Sequence, residues 1–168
     1  MILALLIARL IVGLGMAAHG AQKLFGWFGG YGIKGTGGFM ESLGFKPGAT
    51  FALLAGLGEF TGGMLLALGW LGGLGPALIV MVMLVAILTV HLNNGFFTSN
   101  NGWEMPGLYI AAALAFLFFG FGAYSLDGWT GGLPLLSAPN VIWMLLAGAI
   151  VLALLNLLMR KRPPQANG

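Results

Sequence analysis

An all-α integral membrane bundle is the fold class that this sequence predicts, and three features predict it: scarcity of charge, five apolar runs, and a basic stop after the last run. Hydrophobic residues fill 59% of the 168 positions and charged residues only 7%, with a mean hydropathy of +0.97. A soluble domain does not carry that composition on its surface. The net charge of +3 is small and gathered toward the C-terminus, which fits membrane orientation and argues against a nucleic-acid partner. Cysteine is absent, so disulfides, thiolate nucleophiles and Cys-ligated clusters are excluded.

The first run, Ile2 to about Phe25, carries Arg9 inside its apolar stretch and lacks a basic leader. It therefore reads as a retained span and not as a cleaved signal. The second run is Thr50 to Leu71 and the third Pro76 to Leu92, with a Gly72-Gly73 and Gly75-Pro76 turn between them. Pro106 to about Tyr124 forms the fourth, opened by Glu104 at the positive end of the helix dipole. Val141 to Met159 is the fifth, halted by Arg160-Lys161-Arg162-Pro163-Pro164. These lengths approach the roughly 20 residues that a membrane-crossing helix needs. In the loop between the first two runs, Phe39, Met40 and Leu43 recur at helical spacing around Glu41 and Ser42. They predict a short amphipathic helix lying on the membrane and ending at Gly44.

Lys23, Lys34 and Lys46 flank the first long loop, and Arg160, Lys161 and Arg162 form the tail. With five spans the two basic regions share a side, which the positive-inside rule makes cytoplasmic, leaving the N-terminus outside. Trp27, Trp103 and Trp129 sit near span ends, as interfacial aromatics do.

Chemistry at membrane depth has few sources. Arg9, Gly13, Met16, Gly20 and Lys23 fall within a helical stripe of about 80°, so the first span faces protein on that side. Glu59 costs at least about 2.5 to 3.5 kcal/mol in an isolated span and requires a partner. Measured from flush helix ends, Arg9 and Glu59 are offset by only about 5 Å, within reach of an arginine, whereas His19 lies about 10 Å from Glu59 and needs a bridging water. An Arg9–Glu59 pair could serve chemistry or simply fix which helices meet. Around Glu59, Gly58 and Gly62 form a small-xxx-small pair suited to close helix packing.

A second group, His19, Gln22, Lys23, His91, Asn93, Asn94 and Glu104, gathers near the cytoplasmic end, with Trp27 and Trp103 beside it. A quinone headgroup suits such a site: donors to its two carbonyls, an aromatic face and a proton path. In that reading Glu59 and His91 handle protons, while Arg9, His19, Lys23, Trp27 and Trp103 bind the substrate. A polar rim that snorkels to water uses the same residues. The two histidines could also be axial ligands, but no local haem signature accompanies them.

Arg9, the run His19-Gly20-Ala21-Gln22-Lys23-Leu24-Phe25-Gly26-Trp27-Phe28-Gly29-Gly30, the run Gly58-Glu59-Phe60-Thr61-Gly62-Gly63, Asn101-Gly102-Trp103-Glu104 and Tyr124-Ser125-Leu126-Asp127 together resemble the DoxX family of small bacterial inner-membrane proteins. The resemblance covers roughly residues 1–128. Ala123 departs from it, standing where members often carry a basic residue. It implies a four-helix membrane domain, with 129–159 a linker and an added fifth helix and 160–168 a basic cytoplasmic tail. For function it implies a quinone-linked oxidoreductase or a membrane subunit of a redox or sulfur-metabolism complex, with Arg9, His19, Lys23, Glu59 and His91 as the residues carried over. A soluble redox or sulfurtransferase partner is implied as well, because a chain without cysteine holds no sulfane sulfur on a thiol. The alternative is a non-catalytic scaffold that recruits a soluble redox enzyme through Gly26 to Gly48 and the tail. Membrane lipid is a contact on either view, and a homo-oligomer is compatible with both.

Overall fold

The computed structural model describes residues 2–161, so the expected tail from Arg162 onward lies outside the described residues. The helices are α1 (Ile2–Phe25), α2 (Gly32–Ser42), α3 (Gly48–Leu68), α4 (Leu74–Ala86), α5 (Glu104–Phe119), α6 (Leu126–Thr130) and α7 (Pro139–Leu158). Among the described residues, four stretches are long and apolar enough to cross a membrane: Leu3–Phe25, Gly48–Leu68, Leu74–Asn94 and Pro139–Leu158. The protein is an all-α helical membrane bundle whose apolar outer faces meet lipid. In the middle, α3 packs on α1 and α4; α4 carries α5 and α7 on its other sides; α2 covers α3. Met16, Leu66, Ile79, Val80, Met83, Ala113 and Phe116 belong to the buried core these helices share.

Glycine sets how closely α3 approaches its neighbours. Gly13 and Gly20 on α1, and Gly63 on α3, meet the partner helix backbone directly: a Cβ at Gly13 would lie 2.5 Å from the Ala67 nitrogen, one at Gly20 would run into Phe60, and one at Gly63 into Ala17. The expected pair Gly58 and Gly62 works on a different face, against Val82, Ile79 and the Gly75 carbonyl of α4. Two small-residue faces on one helix let α3 sit between α1 and α4 with backbones near contact.

The fourth expected span is shorter than the apolar run. It ends at Phe119, and its 16 residues cover about 24 Å, against a hydrocarbon core of about 30 Å. Gly120 and Gly122 both adopt φ 76°, a left-handed conformation that glycine takes without penalty, and the chain leaves the helix there. Carbonyls freed inside a membrane protein need donors. Arg9 supplies them, donating to the Phe121 oxygen at 3.3 Å and the Tyr124 oxygen at 2.5 Å while only 2% exposed.

The same end is tied down by the Tyr124-Ser125-Leu126-Asp127 segment. Ser125 caps α6, its Oγ accepting from the Gly128 nitrogen at 3.0 Å. The Asp127 carboxylate accepts from Leu71 and Gly72 nitrogens at 3.1 and 2.7 Å, closing the α3–α4 turn. These residues hold the bundle's architecture at one end.

The loop helix forms where expected, but α2 packs against α3 and does not merely lie on the membrane. Gly37 sits against Gly48 and Ala49, and the Glu41 carboxylate accepts from the Gly48 nitrogen at 3.0 Å, placing negative charge at the start of α3. The end of α7 returns to this corner: Lys161 donates its backbone N–H to the Gly44 oxygen at 2.9 Å, and Arg160 Nε donates to the Leu43 oxygen. Arg160 and Lys161 thus lie at the same end of the bundle as Lys46, as the count of runs required.

Candidate functional site

The α1–α3 contact places the ionisable groups. Because Gly13 is level with Ala67 and Gly20 with Phe60, Arg9 comes beside Gly69, and Lys23 beside Gly56, whose Cβ would lie 3.3 Å from that of Lys23. The expected Arg9–Glu59 pair is therefore corrected: Glu59 Oε2 pairs with Lys23 Nζ at 2.6 Å. Flush helix ends were the error, since glycine contacts and not span ends fix the register. Side chains on a helix lean toward its N-terminus, so the long Lys23 stem climbs from the loop into the bundle and reaches Glu59 a turn deeper. The Glu59 side chain is 5% exposed and that of Lys23 26%, a pair whose charged ends are largely out of water.

The same register brings His19 level with Glu59, removing the expected 10 Å offset along the axis. His19 meets Tyr109 of α5 edge-on, with ring centroids 6.0 Å apart. On α4 the α-helix gives way at Ala86 to a π-helical turn, Ile87–His91. Such turns recur at functional sites, and this one delivers Thr89 and His91 to the same region as the Lys23–Glu59 pair.

That region is a cavity of about 460 Å³. Its polar lining includes His19, Lys23, Glu59, His91, Asn101 and Tyr109. Its apolar lining comes from α2 (Phe39, Met40), α3 (Phe51, Leu54), α4 (Met81, Val85), Met105 of α5 and Leu152 of α7. A mostly apolar cavity of this size with a few convergent polar groups has the form of a small-molecule site.

Four expected site residues, His19, Lys23, Glu59 and His91, thus converge on one cavity. Arg9, Trp27 and Trp103 do not line it. Arg9 stands at the opposite end of α1. Trp27 is 56% exposed beside Phe25, and Trp103 is 37% exposed against Phe96. Glu104 also stays outside, its carboxylate accepting from the Thr98 nitrogen at 2.8 Å. Tyr109 was missed by reading the sequence, although it is the sole tyrosine in the interior of an apolar run. Asn156, which lines the cavity from α7, was missed in the same way: a polar residue alone in the apolar run after the first turn of α7 was the available signal. Among the described residues no group of three or more His, Cys, Asp or Glu could hold a metal ion.

Comparison with known proteins bears on this arrangement. The family model described as DoxX matches residues 4–92, just over half of the sequence. The chain belongs to the DoxX family. No curated protein and no solved structure matches it. The matched DoxX segment contains Arg9, His19, Lys23, Glu59 and His91, whereas Tyr109 and Asn156 enter the cavity from helices beyond it. The cavity of this DoxX protein is therefore built jointly by the family segment and by α5 and α7.

Proposed function

We propose that this DoxX protein is a membrane subunit that binds a quinone-type ring in the Lys23–Glu59 cavity and works with a soluble redox partner. The observation that carries the reading is the convergence of His19, Lys23, Glu59 and His91, from three helices, on one apolar cavity. Reduction of such a ring consumes two electrons and two protons. The residues of this chain supply the proton side: Glu59, paired to Lys23, holds charge deep in the bundle, and His91 lies closer to the loops. Electrons come from a soluble oxidoreductase partner, and a sulfurtransferase partner would hold the sulfane sulfur that a chain with no cysteine cannot carry on a thiol. Glu59 and His91 are assigned to proton handling and His19, Lys23 and Tyr109 to holding the ring; Arg9 is reassigned to architecture.

The proposed setting is a bacterial plasma membrane with the N-terminus outside and the C-terminus cytoplasmic. The meeting of Gly44 with Lys161 supports the common side of the basic regions, and the positive-inside rule supports its identity. Residues 1–128 form the proposed DoxX-like domain, 129–159 the linker and added helix, and 160–168 the tail. One observation favours a recruiting surface on this protein as well: Trp27, Phe28 and Tyr31 are 56, 71 and 84% exposed in the loop after α1. Deleting Gly32 to Lys46 would remove the α2 wall of the cavity too, so Tyr31→Ala with Phe28→Ala is the cleaner probe of partner capture.

Protein purified in native lipid is expected to yield quinone in near-stoichiometric amount on organic extraction and mass spectrometry, well above the lipid background. Glu59→Gln, folded, is expected to yield much less. Background-level quinone in the wild type would overturn the proposal and leave the scaffold reading.

A further inference from the structure

The cavity lining is sorted by helix. His19 and Lys23 come from α1, Glu59 from α3 and Tyr109 from α5, whereas α2 and α7 bring Met40, Leu43 and Leu152 together with the Asn156 amide. Two of the apolar lining residues also reach the outside of the bundle. Leu54 of α3 and Leu152 of α7 border the cavity and are 53 and 56% exposed. A side chain that lines a cavity and lies open on the outer face marks an opening, so the cavity reaches the surface between α3 and α7.

The path of α7 explains why an opening exists there. Near its start, Leu145 lies against Gly73 at the head of α4, and α7 then packs along α4 and not along α3. At its other end it is joined to the segment before α3, through Lys161 to the Gly44 oxygen and Arg160 to the Leu43 oxygen. Phe45, 1% exposed and stacked on Phe51 with ring centroids 5.0 Å apart, fills that corner. The slot is thus shut toward the loops and opens sideways. Leu54 stands six residues inside the Gly48 end of α3, and Leu152 six residues inside the Leu158 end of α7. Each is about 9 Å along its helix from the joined corner, which puts the opening at hydrocarbon depth.

An opening of this kind suits one shape of ligand. A hydrocarbon chain leaving sideways stays among apolar groups, because lipid tails are as apolar as leucine. The polar groups deeper in the cavity meet only the head. Building on the quinone-type reading of the cavity, we infer that the ligand is a membrane amphiphile that exchanges with the bilayer through the α3–α7 slot, its ring at the Lys23–Glu59 pair and a long apolar chain passing between Leu54 and Leu152. The slot selects for the chain and the ion pair for the head, so a ring without a chain uses half of the site.

The test compares decylubiquinone with the same dimethoxy-methyl-benzoquinone ring lacking its chain, each titrated against the full-length protein in phosphatidylcholine nanodiscs. Leu54→Trp combined with Leu152→Trp narrows the slot at two exposed positions. It is expected to weaken decylubiquinone binding by about tenfold, the effect of a moderate steric clash, and to leave binding of the bare ring unchanged. Leu57→Trp, exposed on α3 but outside the cavity lining, is expected to change neither. In the unaltered protein, a diazirine at the end of the decyl chain is expected to label the peptides of Leu54 and Leu152, and excess decylubiquinone to suppress it. Undiminished decylubiquinone binding in the double variant, equal loss of both ligands, the same loss in Leu57→Trp, or chain-end labels elsewhere would overturn the inference while leaving the cavity a quinone-type site. Binding of neither ligand to the wild type would overturn that reading and the inference with it.

Discussion

Lys23→Leu is expected to destabilise the protein by about 3–5 kcal/mol, because removing one partner of a buried ion pair strands the other. Glu59 has the Lys23 ammonium at 2.6 Å and a side chain only 5% exposed, so bulk water replaces little of what is lost. Lys23→Leu combined with Glu59→Leu is expected to recover most of the loss, since an apolar pair of similar volume removes both desolvation costs. Thermal unfolding in detergent, read for the two single variants and the double, supplies the cycle. If Lys23→Leu melts with the wild type, the pair is not a stability element and does not tie α1 to α3. The same double variant separates stability from function: it is expected to fold and to lose the bound ring.

Gly63→Val is the second large effect. The Cβ of any residue at Gly63 meets the backbone of Ala17 and the carbonyl of Gly13, neither of which can turn aside as a side chain can. The helices must separate along their whole contact, which moves Lys23 from Glu59 as well. The expected cost is at or above the top of the roughly 1–3 kcal/mol range for overpacking, and little folded protein is expected in the membrane. Gly148→Ala is the control, because nothing lies within 4 Å of a Cβ there. In the middle of α7 that change is expected to be neutral or to stabilise by up to about 0.5–1 kcal/mol. Normal accumulation of Gly63→Val would contradict the glycine contact.

The helices were legible in the sequence because lipid demands long apolar runs, and all five runs contain one. Their lengths were less so: the fourth run continues to Tyr124, yet its helix stops at Phe119 because Gly120 and Gly122 leave the helical region, which hydropathy does not register. The cluster of His19, Lys23, Glu59 and His91 was legible because ionisable groups at membrane depth are costly enough to have a purpose. Which of them touch was not. Depth counted from helix ends assumes a register that backbone contacts between glycines decide, and seating Gly13 against Ala67 carried Arg9 away from Glu59 and delivered Lys23. The contact of His91 Nδ1 with the Asn101 carbonyl at 2.8 Å was also out of reach, because it joins residues ten apart across an irregular loop.

The most direct measurement is photolabelling of the membrane-embedded protein with an azidoquinone, followed by peptide mapping. Labels on Met81, Met105 or Tyr109, suppressed by excess unlabelled quinone, are the result expected if the Lys23–Glu59 cavity holds the ring. Labels confined to the outer faces of α1 and α7, undiminished by competitor, would contradict it.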